Sequence, residues 1–327
     1  MRAMVLTSIG QPLVLQERAT PQAGNGEVRL RVEACGVCRT DLHVVDGDLP
    51  SVAPPVIPGH EIVGIVEQVG SGDITLRVGD RVGVPWLGHT CGACRYCAAD
   101  MENLCDAAQF TGYTRPGGFA THVIAEAAYC IPLPANADPV AVAPLLCAGL
   151  IGWRCLTKAG NVDAIGLYGF GAAAHIIAQV AVAQGRRVFA FTRPGDTTTQ
   201  EFARSLGARW AGGSSETPPE LLDAAILFAP DGTLVPCALQ AVRKGGRVVC
   251  GGIHMSDIPA FPYRLLWGER QVSSVANLTR KDAHDFFADE STSQVTTTTT
   301  QYPLKAANDA LSALRAGQIH GAAVLRC

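Results

Sequence analysis

The chain contains 327 residues, a length typical of two domains; 48% of them are hydrophobic and 17% are charged. This composition excludes an intrinsically disordered protein, because enough apolar side chains are present to form a sizeable core. Lys and Arg total 26 against 29 Asp and Glu, with no dense basic run, so nucleic acid and anionic membranes are disfavoured as partners.

The N-terminal apolar stretch is too short for a signal peptide, and no apolar run reaches the roughly 18 residues of a transmembrane helix. The sequence therefore predicts a cytoplasmic protein. The 12 Cys residues are far fewer than a disulfide-stapled scaffold contains. In a reducing compartment, clustered thiols usually bind metal.

Short Val- and Ile-rich runs separated by Gly and Pro occupy the chain up to about residue 133. Such runs are typical of an irregular β-rich domain. The predicted strands are 27–33, 62–69, 81–84 and 119–124.

Beyond about residue 139, Ala-rich segments alternate with short hydrophobic runs. This pattern predicts the α/β class, with a Rossmann-type, doubly wound parallel sheet. The predicted strands are 164–168, 187–192, 224–228 and 247–250, and the predicted helices are 172–184, 201–207 and 235–243.

Five consecutive Thr residues lie within 295–302. Their β-branched side chains favour an edge strand, with a low-complexity loop as the alternative. A helix is predicted at 306–315, before Gly317, and a strand at 322–325 is expected to return to the first domain.

The most specific motif has the spacing C-x2-C-x2-C-x7-C and consists of Cys91, Cys94, Cys97 and Cys105. Four thiolates this close together can complete the tetrahedral shell of a structural zinc ion. An iron–sulfur cluster also takes four Cys, but here the fourth comes late and no Pro follows it. An iron–sulfur cluster and a disulfide stay as alternatives.

A dispersed set of two Cys and one His, Cys38, His60 and Cys147, offers three ligands and leaves a fourth position for water or substrate. That arrangement is typical of a catalytic zinc. Each residue alone is a weak signal, because an isolated Cys is usually a small buried hydrophobe and a lone His is usually structural.

A turn of the form G-x-G-x-x-A, with Gly169, Gly171 and Ala174, lies between the strand 164–168 and the helix 172–184. In this context the motif binds the pyrophosphate of a dinucleotide at the helix N-terminus. The first Gly allows the tight turn, and the second lets the phosphate approach the backbone. The small third residue lets the helix pack closely against the strand.

These motifs follow one another in the order found in the zinc-dependent alcohol dehydrogenases of the medium-chain dehydrogenase/reductase family, which the chain resembles over nearly its whole length. The matching segments are 35–43, 58–61, 78–82, 91–105, 147–149 and 169–174. The resemblance implies a β-rich, GroES-like catalytic domain of residues 1–140 with 285–327. It implies a Rossmann domain of residues 141–284 between these two segments.

The resemblance further implies that Cys38, His60 and Cys147 bind the catalytic zinc. Glu61 would approach the metal during ligand exchange. Asp41 would orient His60, since a metal-bound imidazole needs an acceptor on its other nitrogen.

By the same resemblance, Thr40 hydrogen-bonds the alcohol oxygen and His43 relays the proton to solvent. Arg39 is expected to contact the cofactor pyrophosphate, and Trp86 to face the substrate. Leu49 stands where some ethanol-oxidising relatives have Trp, which suggests room for larger alcohols.

Cofactor preference stays open at the sequence level, because the end of the second Rossmann strand reads Thr192-Arg193-Pro194-Gly195-Asp196. Thr192 and Arg193 could accept the 2′-phosphate of NADP, whereas Asp196 could reach the ribose of NAD from the loop.

The resemblance thus predicts reversible hydride transfer between a primary or secondary alcohol and NAD(P)+, giving an aldehyde or ketone. It implies two zinc ions per chain, one catalytic and one structural, and a homo-oligomer, either a dimer or a tetramer. A polyol or other specialised zinc dehydrogenase of the same family is the alternative enzyme. A non-catalytic zinc-binding protein that retains the fold is the alternative from another class.

Overall fold

A computed structural model describes residues 1–50 and 52–327. The chain forms two compact units, each discontinuous in sequence. The first unit comprises Met1–Ala148, Asn277–His284 and Thr297–Cys327, and the second comprises Gly149–Ala276 and Asp285–Thr296.

Strands predominate in the first 147 residues, whereas strands and helices alternate after that point. The first group is β1 (Arg2–Val5), β2 (Val14–Glu17), β3 (Glu27–Val37), α1 (Arg39–Asp46), β4 (Glu61–Val69), β5 (Arg81–Val84), β6 (Leu87–His89), β7 (Gln109–Phe110), β8 (His122–Glu126), β9 (Ile131–Pro132) and α2 (Pro139–Val142). The middle group is α3 (Ala148–Ala159), β10 (Ala164–Tyr168), α4 (Ala172–Ala183), β11 (Arg187–Thr192), α5 (Thr197–Ser205), β12 (Trp210–Gly213), β13 (Leu222–Leu227), α6 (Leu234–Ala241), β14 (Val242–Cys250) and β15 (Gln271–Ser274). The last group is α7 (Arg280–Ala288), β16 (Thr299–Pro303), α8 (Ala307–Arg315) and β17 (Ala322–Arg326).

The main sheet of the first unit has the strand order β16-β17-β3-β4-β5-β9, and β8 also pairs with β3. Strand β3 begins with alternating buried side chains, Val28, Leu30 and Val32, as expected of a strand with one face on a core. The predicted return of the last strand is confirmed, because β17 pairs antiparallel with β3.

The sheet of the second unit has the order β12-β11-β10-β13-β14-β15, with every neighbouring pair among the described residues parallel. This is the Rossmann order, so the predicted fold class is confirmed. Strand β10 is buried along its whole length, which explains why it reads as a continuous apolar run.

Several element limits differ from the prediction: the strand predicted at 119–124 is β8 (His122–Glu126), and the strand predicted at 247–250 begins at Val242. Two further differences follow from particular contacts. Helix α5 begins at Thr197 rather than at 201, because the Asp196 carboxylate caps it by accepting from the Thr199 N–H at 3.0 Å. The Thr-rich strand is confirmed as an edge strand, but it begins at Thr299, where pairing with β17 starts.

Within residues 1–50 and 52–327, no single helix is long and apolar enough to cross a bilayer. The segments 139–146 and 148–159 pass that test only as a bent pair, and only on length and composition.

Candidate active site and metal centres

Cys38 lies at the junction between β3 and α1, where it is the N-cap of the helix. Its Sγ accepts from the Thr40 N–H at 3.3 Å, and its own N–H donates to Asp41 Oδ2 at 2.9 Å. This reciprocal capping fixes the helix start and therefore the direction of the Cys38 thiol.

The carboxylate of Asp41 also fixes the orientation of His60. Its Oδ1 lies 3.2 Å from His60 Nδ1 and accepts from the Gly59 N–H at 3.0 Å. Both side chains are fully buried. With Nδ1 held by Asp41, the other ring nitrogen, Nε2, lies 3.2 Å from Cys38 Sγ.

Four candidate ligands converge at this point. One donor atom from each of Cys38, His60, Glu61 and Cys147 lies within 4.8 Å of all the others. Pairing of β3 with β4 contributes to this convergence, because Gly36 and Glu61 are directly opposite each other.

Removing the charged forms of these side chains from water costs free energy, which a bound cation would offset. Hydrogen bonding to Cys147 and the charge of His60 hold the pKa of the Cys38 thiol well below its ordinary value, against burial. Burial and then the charge of Cys38 raise the pKa of Glu61 well above its usual range. Two sulfurs, one imidazole and one carboxylate match the ligands that zinc prefers, so these residues fit a zinc ion.

Glu61 reaches the cluster only because residue 36 is Gly. A Cβ at Gly36 would lie 1.7 Å from Glu61 Oε2 and 2.7 Å from its Cδ. The absent side chain at Gly36 is therefore part of the site, as is typical of a strand Gly beside a close approach.

Gly36→Ala is expected to displace the Glu61 carboxylate and to lower the free energy of unfolding by about 1–3 kcal/mol, the usual cost of overpacking. Urea unfolding would measure this change. Gly171→Ala is the matched control, because its Cβ would meet nothing within 4 Å. Equal stability of the two variants would contradict the prediction.

The segment 91–105, here called the four-Cys lobe, gathers its four thiols. Cys105 Sγ and Cys91 Sγ are 3.5 Å apart, Cys94 Sγ and Cys97 Sγ are 3.6 Å apart, and all four sulfurs lie within 4.8 Å of one another. Zn–S bonds of 2.3 Å in a tetrahedron place sulfurs about 3.8 Å apart, so the lobe fits a zinc ion. Backbone N–H groups of Ala93 and Cys94 lower the pKa of Cys91 to about 6, whereas burial and the hydrogen bond to Cys91 raise the pKa of Cys105 to about 11, so Cys91 is the thiol that ionises most readily.

Trp86 packs beside the buried imidazole. Its ring meets His60 edge-on, with centroids 4.8 Å apart, and it stacks on Phe110 at 5.3 Å and on Tyr113 at 5.7 Å. Only 7% of Trp86 is exposed. Leu49, the other predicted pocket residue, is half-buried and packs against the apolar core of the first unit.

The remaining predicted residues of α1 differ in burial. Thr40 is buried and Arg39 is exposed. His43 is half-buried, and its Nδ1 lies 2.9 Å from Asp48 Oδ2. Gly47, at φ +78°, ends the helix and turns the chain back toward His43.

In the second unit, the predicted dinucleotide turn follows β10. Gly169 has φ +86°, and a Cβ there would lie 2.7 Å from Ala229, so only Gly fits. Gly171 is exposed at the start of α4, and Ala174 is buried. This geometry leaves the first N–H groups of α4 available for a phosphate.

The end of β11 carries one exposed cation, Arg193. The Thr192 hydroxyl is buried and donates to backbone carbonyls, and it accepts from Gln200 Nε2 at 3.1 Å. Nearby carboxylates already accept from backbone N–H groups: Asp196 from Thr199, and Glu216 from Gly213 at 2.6 Å.

The sequence did not single out Gly36, Asp48 or Glu216. A Gly two positions before a ligand Cys at a strand end is a detectable sign of close approach. An acidic residue directly after a helix-ending Gly is a weaker sign, and nothing local marks Glu216.

Comparison with known proteins agrees with this fold and these sites. Residues 24–135 match the family described as the alcohol dehydrogenase GroES-like domain. A probable alcohol dehydrogenase of Mycobacterium tuberculosis is 46% identical, over 96% of this chain and 92% of the relative. An alcohol dehydrogenase of Geobacillus stearothermophilus is 36% identical, over 100% and 99%. The structure of a thermostable alcohol dehydrogenase from Pyrobaculum aerophilum superposes with a TM-score of 0.91 at 25% identity, covering 100% of this chain and 99% of that one.

A Rossmann unit joined to a GroES-like unit with two Cys-containing clusters defines a dehydrogenase of the medium-chain class. The chain belongs to the zinc-dependent alcohol dehydrogenases of the medium-chain dehydrogenase/reductase family.

Proposed function

We propose that the chain oxidises primary or secondary alcohols reversibly with NAD(P)+, using Cys38, His60 and Cys147 as ligands of a catalytic zinc. The convergence of these donors with Glu61 within 4.8 Å is the observation that carries the proposal. Cys91, Cys94, Cys97 and Cys105 would hold a second, structural zinc.

A bound zinc ion supplies a Lewis acid that lowers the pKa of the substrate hydroxyl, and a bound nicotinamide accepts the hydride. The side chains of the protein supply orientation. Asp41 holds the imidazole of His60, and Trp86 packs against its edge. The Thr40 hydroxyl, two residues beyond Cys38 on the first turn of α1, would hydrogen-bond the alcohol oxygen.

His43 would receive the proton, one turn further along α1 from Thr40. Its Nδ1 faces Asp48 Oδ2 at 2.9 Å, so the carboxylate holds the ring in one orientation. A ring held in this way presents its other nitrogen in a fixed direction, which a proton relay requires.

The dinucleotide would bind at Gly169, Gly171 and Ala174, with Arg39 on the pyrophosphate. We propose that the chain prefers NADP. Arg193 is exposed directly after β11, whereas Asp196 and Glu216 already cap backbone N–H groups, so a cation is the better-placed partner of the ribose.

Arg193→Ala is expected to raise the Kd of NADP about 10-fold to 100-fold, because a charge-assisted phosphate contact contributes about 1.5–3 kcal/mol. The Kd of NAD should stay unchanged. Fluorescence titration with both dinucleotides measures this difference. Arg209→Ala, which removes another exposed Arg near the start of β12, is the control. An equal increase in the Kd values of NAD and NADP would contradict the proposed preference for NADP.

The whole proposal is tested on protein purified without chelator. Elemental analysis should find two zinc ions per chain, and absorbance at 340 nm should rise when a primary or secondary alcohol is added with NADP+ or NAD+. One tightly held zinc ion per chain without turnover of any such alcohol would favour the non-catalytic zinc protein. Turnover confined to polyols would favour the specialised dehydrogenase.

The cellular and quaternary context is also part of the proposal. A cytoplasmic location would keep both thiol clusters reduced and able to bind metal. A dimer or tetramer is inferred from family membership, and sedimentation analysis would identify the assembly.

A further inference from the structure

The base of the four-Cys lobe is held by a residue from a distant part of the sequence. Arg280, the first residue of α7, contacts Glu102, which lies three positions before Cys105. Nothing in the sequence motif C-x2-C-x2-C-x7-C indicates this contact.

The position of Arg280 is fixed by its own helix start. The N–H and the hydroxyl of Thr279 both donate to Asp282 Oδ2 at 2.7 Å, and the Asp282 N–H donates to Thr279 Oγ1 at 3.1 Å. This capping arrangement makes the first turn of α7 rigid and sets the direction in which Arg280 projects.

Glu102 accepts hydrogen bonds from both the backbone and the side chain of Arg280. The backbone N–H donates to Oε1 at 2.8 Å, Nε lies 3.1 Å and 3.0 Å from the two oxygens, and Nη2 donates to Oε2 at 2.6 Å. Only 11% of the Glu102 side chain is exposed. A carboxylate this buried is stable only with such charged and helix N-terminal donors.

A second contact reaches the opposite end of the lobe. The guanidinium of Arg280 lies over the ring of Tyr129, 4.8 Å from its centroid. The Tyr129 hydroxyl lies 2.7 Å from Thr90 Oγ1, and Thr90 directly precedes Cys91. Arg280 therefore connects, through Glu102 and Tyr129, to both ends of the loop that carries the four thiols.

The net charge of the zinc-loaded four-Cys lobe is a second reason for a cation at the position of Arg280. Four thiolates around a divalent zinc leave a net charge of about −2, which an adjacent cation stabilises. Arg280 interacts electrostatically with Cys97.

We propose that Arg280 is a positioning residue that clamps the two ends of the four-Cys lobe and thereby slows release of the structural zinc. The inference rests on the proposed zinc occupancy of the lobe. It does not depend on the identity of the alcohol or on turnover.

The experiment measures zinc release from the two-zinc protein after addition of excess chelator, followed with a chromogenic zinc indicator. Arg280→Gln is expected to release the structural zinc about 10-fold or more faster, the scale seen when groups supporting metal ligands are removed. Arg280→Lys should release it at an intermediate rate, because it retains charge but not the bidentate geometry. The release should also be measured in a Cys38→Ser background, where only the structural zinc is expected.

Arg315→Gln is the matched control. Arg315 forms a bidentate pair with Asp46 at 2.7 Å in the same unit, and its exposure of 55% resembles the 50% of Arg280. Its loss should leave both release rates unchanged. Release of the structural zinc from Arg280→Gln at the wild-type rate would overturn the proposal, as would equal acceleration in Arg315→Gln.

If Arg280→Gln does not fold, Glu102→Gln provides the test, because it removes the ionic link to the Cys105 end of the lobe and leaves Arg280 over Tyr129. Faster release of the structural zinc in Glu102→Gln would support the clamp, and release at the wild-type rate would overturn it. Wild-type protein that oxidises alcohols with zinc at the catalytic ligands but none in the lobe would overturn this inference and leave the proposed alcohol oxidation standing. Wild-type protein with two zinc ions but no alcohol turnover would instead overturn the proposed function.

Discussion

Cys38→Ser is expected to leave one zinc ion per chain and to lower alcohol-dependent reduction of NAD(P)+ by at least about a thousandfold. The thiol of Cys38 has a strongly lowered pKa and lies 3.2 Å from His60 Nε2, so it is poised to bind metal as a thiolate. A serine hydroxyl is far less acidic, and zinc would lose one of three proposed protein ligands. Elemental analysis and absorbance at 340 nm measure the two effects.

Two further variants serve as controls for Cys38→Ser. Cys237→Ser should retain both zinc ions and full activity, because its thiol donates only to the Thr233 carbonyl at 3.6 Å, a contact that serine can replace. Cys94→Ser should lose the other zinc. Retention of two zinc ions and normal turnover in Cys38→Ser would contradict the assigned catalytic site.

Asp41→Asn is expected to weaken binding of the catalytic zinc about 10-fold to 100-fold, although Asp41 is not a proposed ligand. Its carboxylate receives the N–H groups of Cys38 and Gly59 and also faces His60 Nδ1. An amide offers only one acceptor oxygen, so its NH2 group would face one of these donors inside a fully buried site.

The same substitution should lower the free energy of unfolding by about 1–3 kcal/mol, the cost of leaving a buried polar group unsatisfied. Competition with a zinc-selective chelator and urea unfolding measure the two quantities. Asp46→Asn, on the same helix but in an exposed pair with Arg315, is the control. Zinc affinity in Asp41→Asn equal to that in the control would show that Asp41 does not orient the ligand.

The Rossmann fold of the second unit was the more predictable part of the structure. Its strands are short apolar runs, and a strand such as β10, buried on both faces, leaves a clear signature in sequence. The start of α5 was harder to predict, because it depends on which polar side chain caps the helix. Asp196 does so, and the helix begins at Thr197, four residues before the predicted start.

The candidate active site could be predicted only in part. Its residue set came from family resemblance, since nothing in the local pattern shows that Cys38, His60 and Cys147 converge. Two of them meet because β3 and β4 pair with Gly36 opposite Glu61, which is a property of strand register. The same register explains Gly36, because a Cβ at this residue would lie 1.7 Å from Glu61 Oε2. The sequence hints at a close approach here but does not identify Glu61 as the neighbour.

The position of β17 bears on how the two metal centres form during synthesis. Strand β17 lies between β16 and β3, and Ala323 pairs with Val37, the residue before Cys38. The sheet that supports the proposed catalytic ligands therefore remains unfinished until residues 322–326 have left the ribosome. The four thiols of the four-Cys lobe lie within residues 91–105 and can gather metal much earlier. On the nascent chain, we therefore expect the structural zinc to be loaded first and the catalytic zinc only after β17 has emerged and paired with β3.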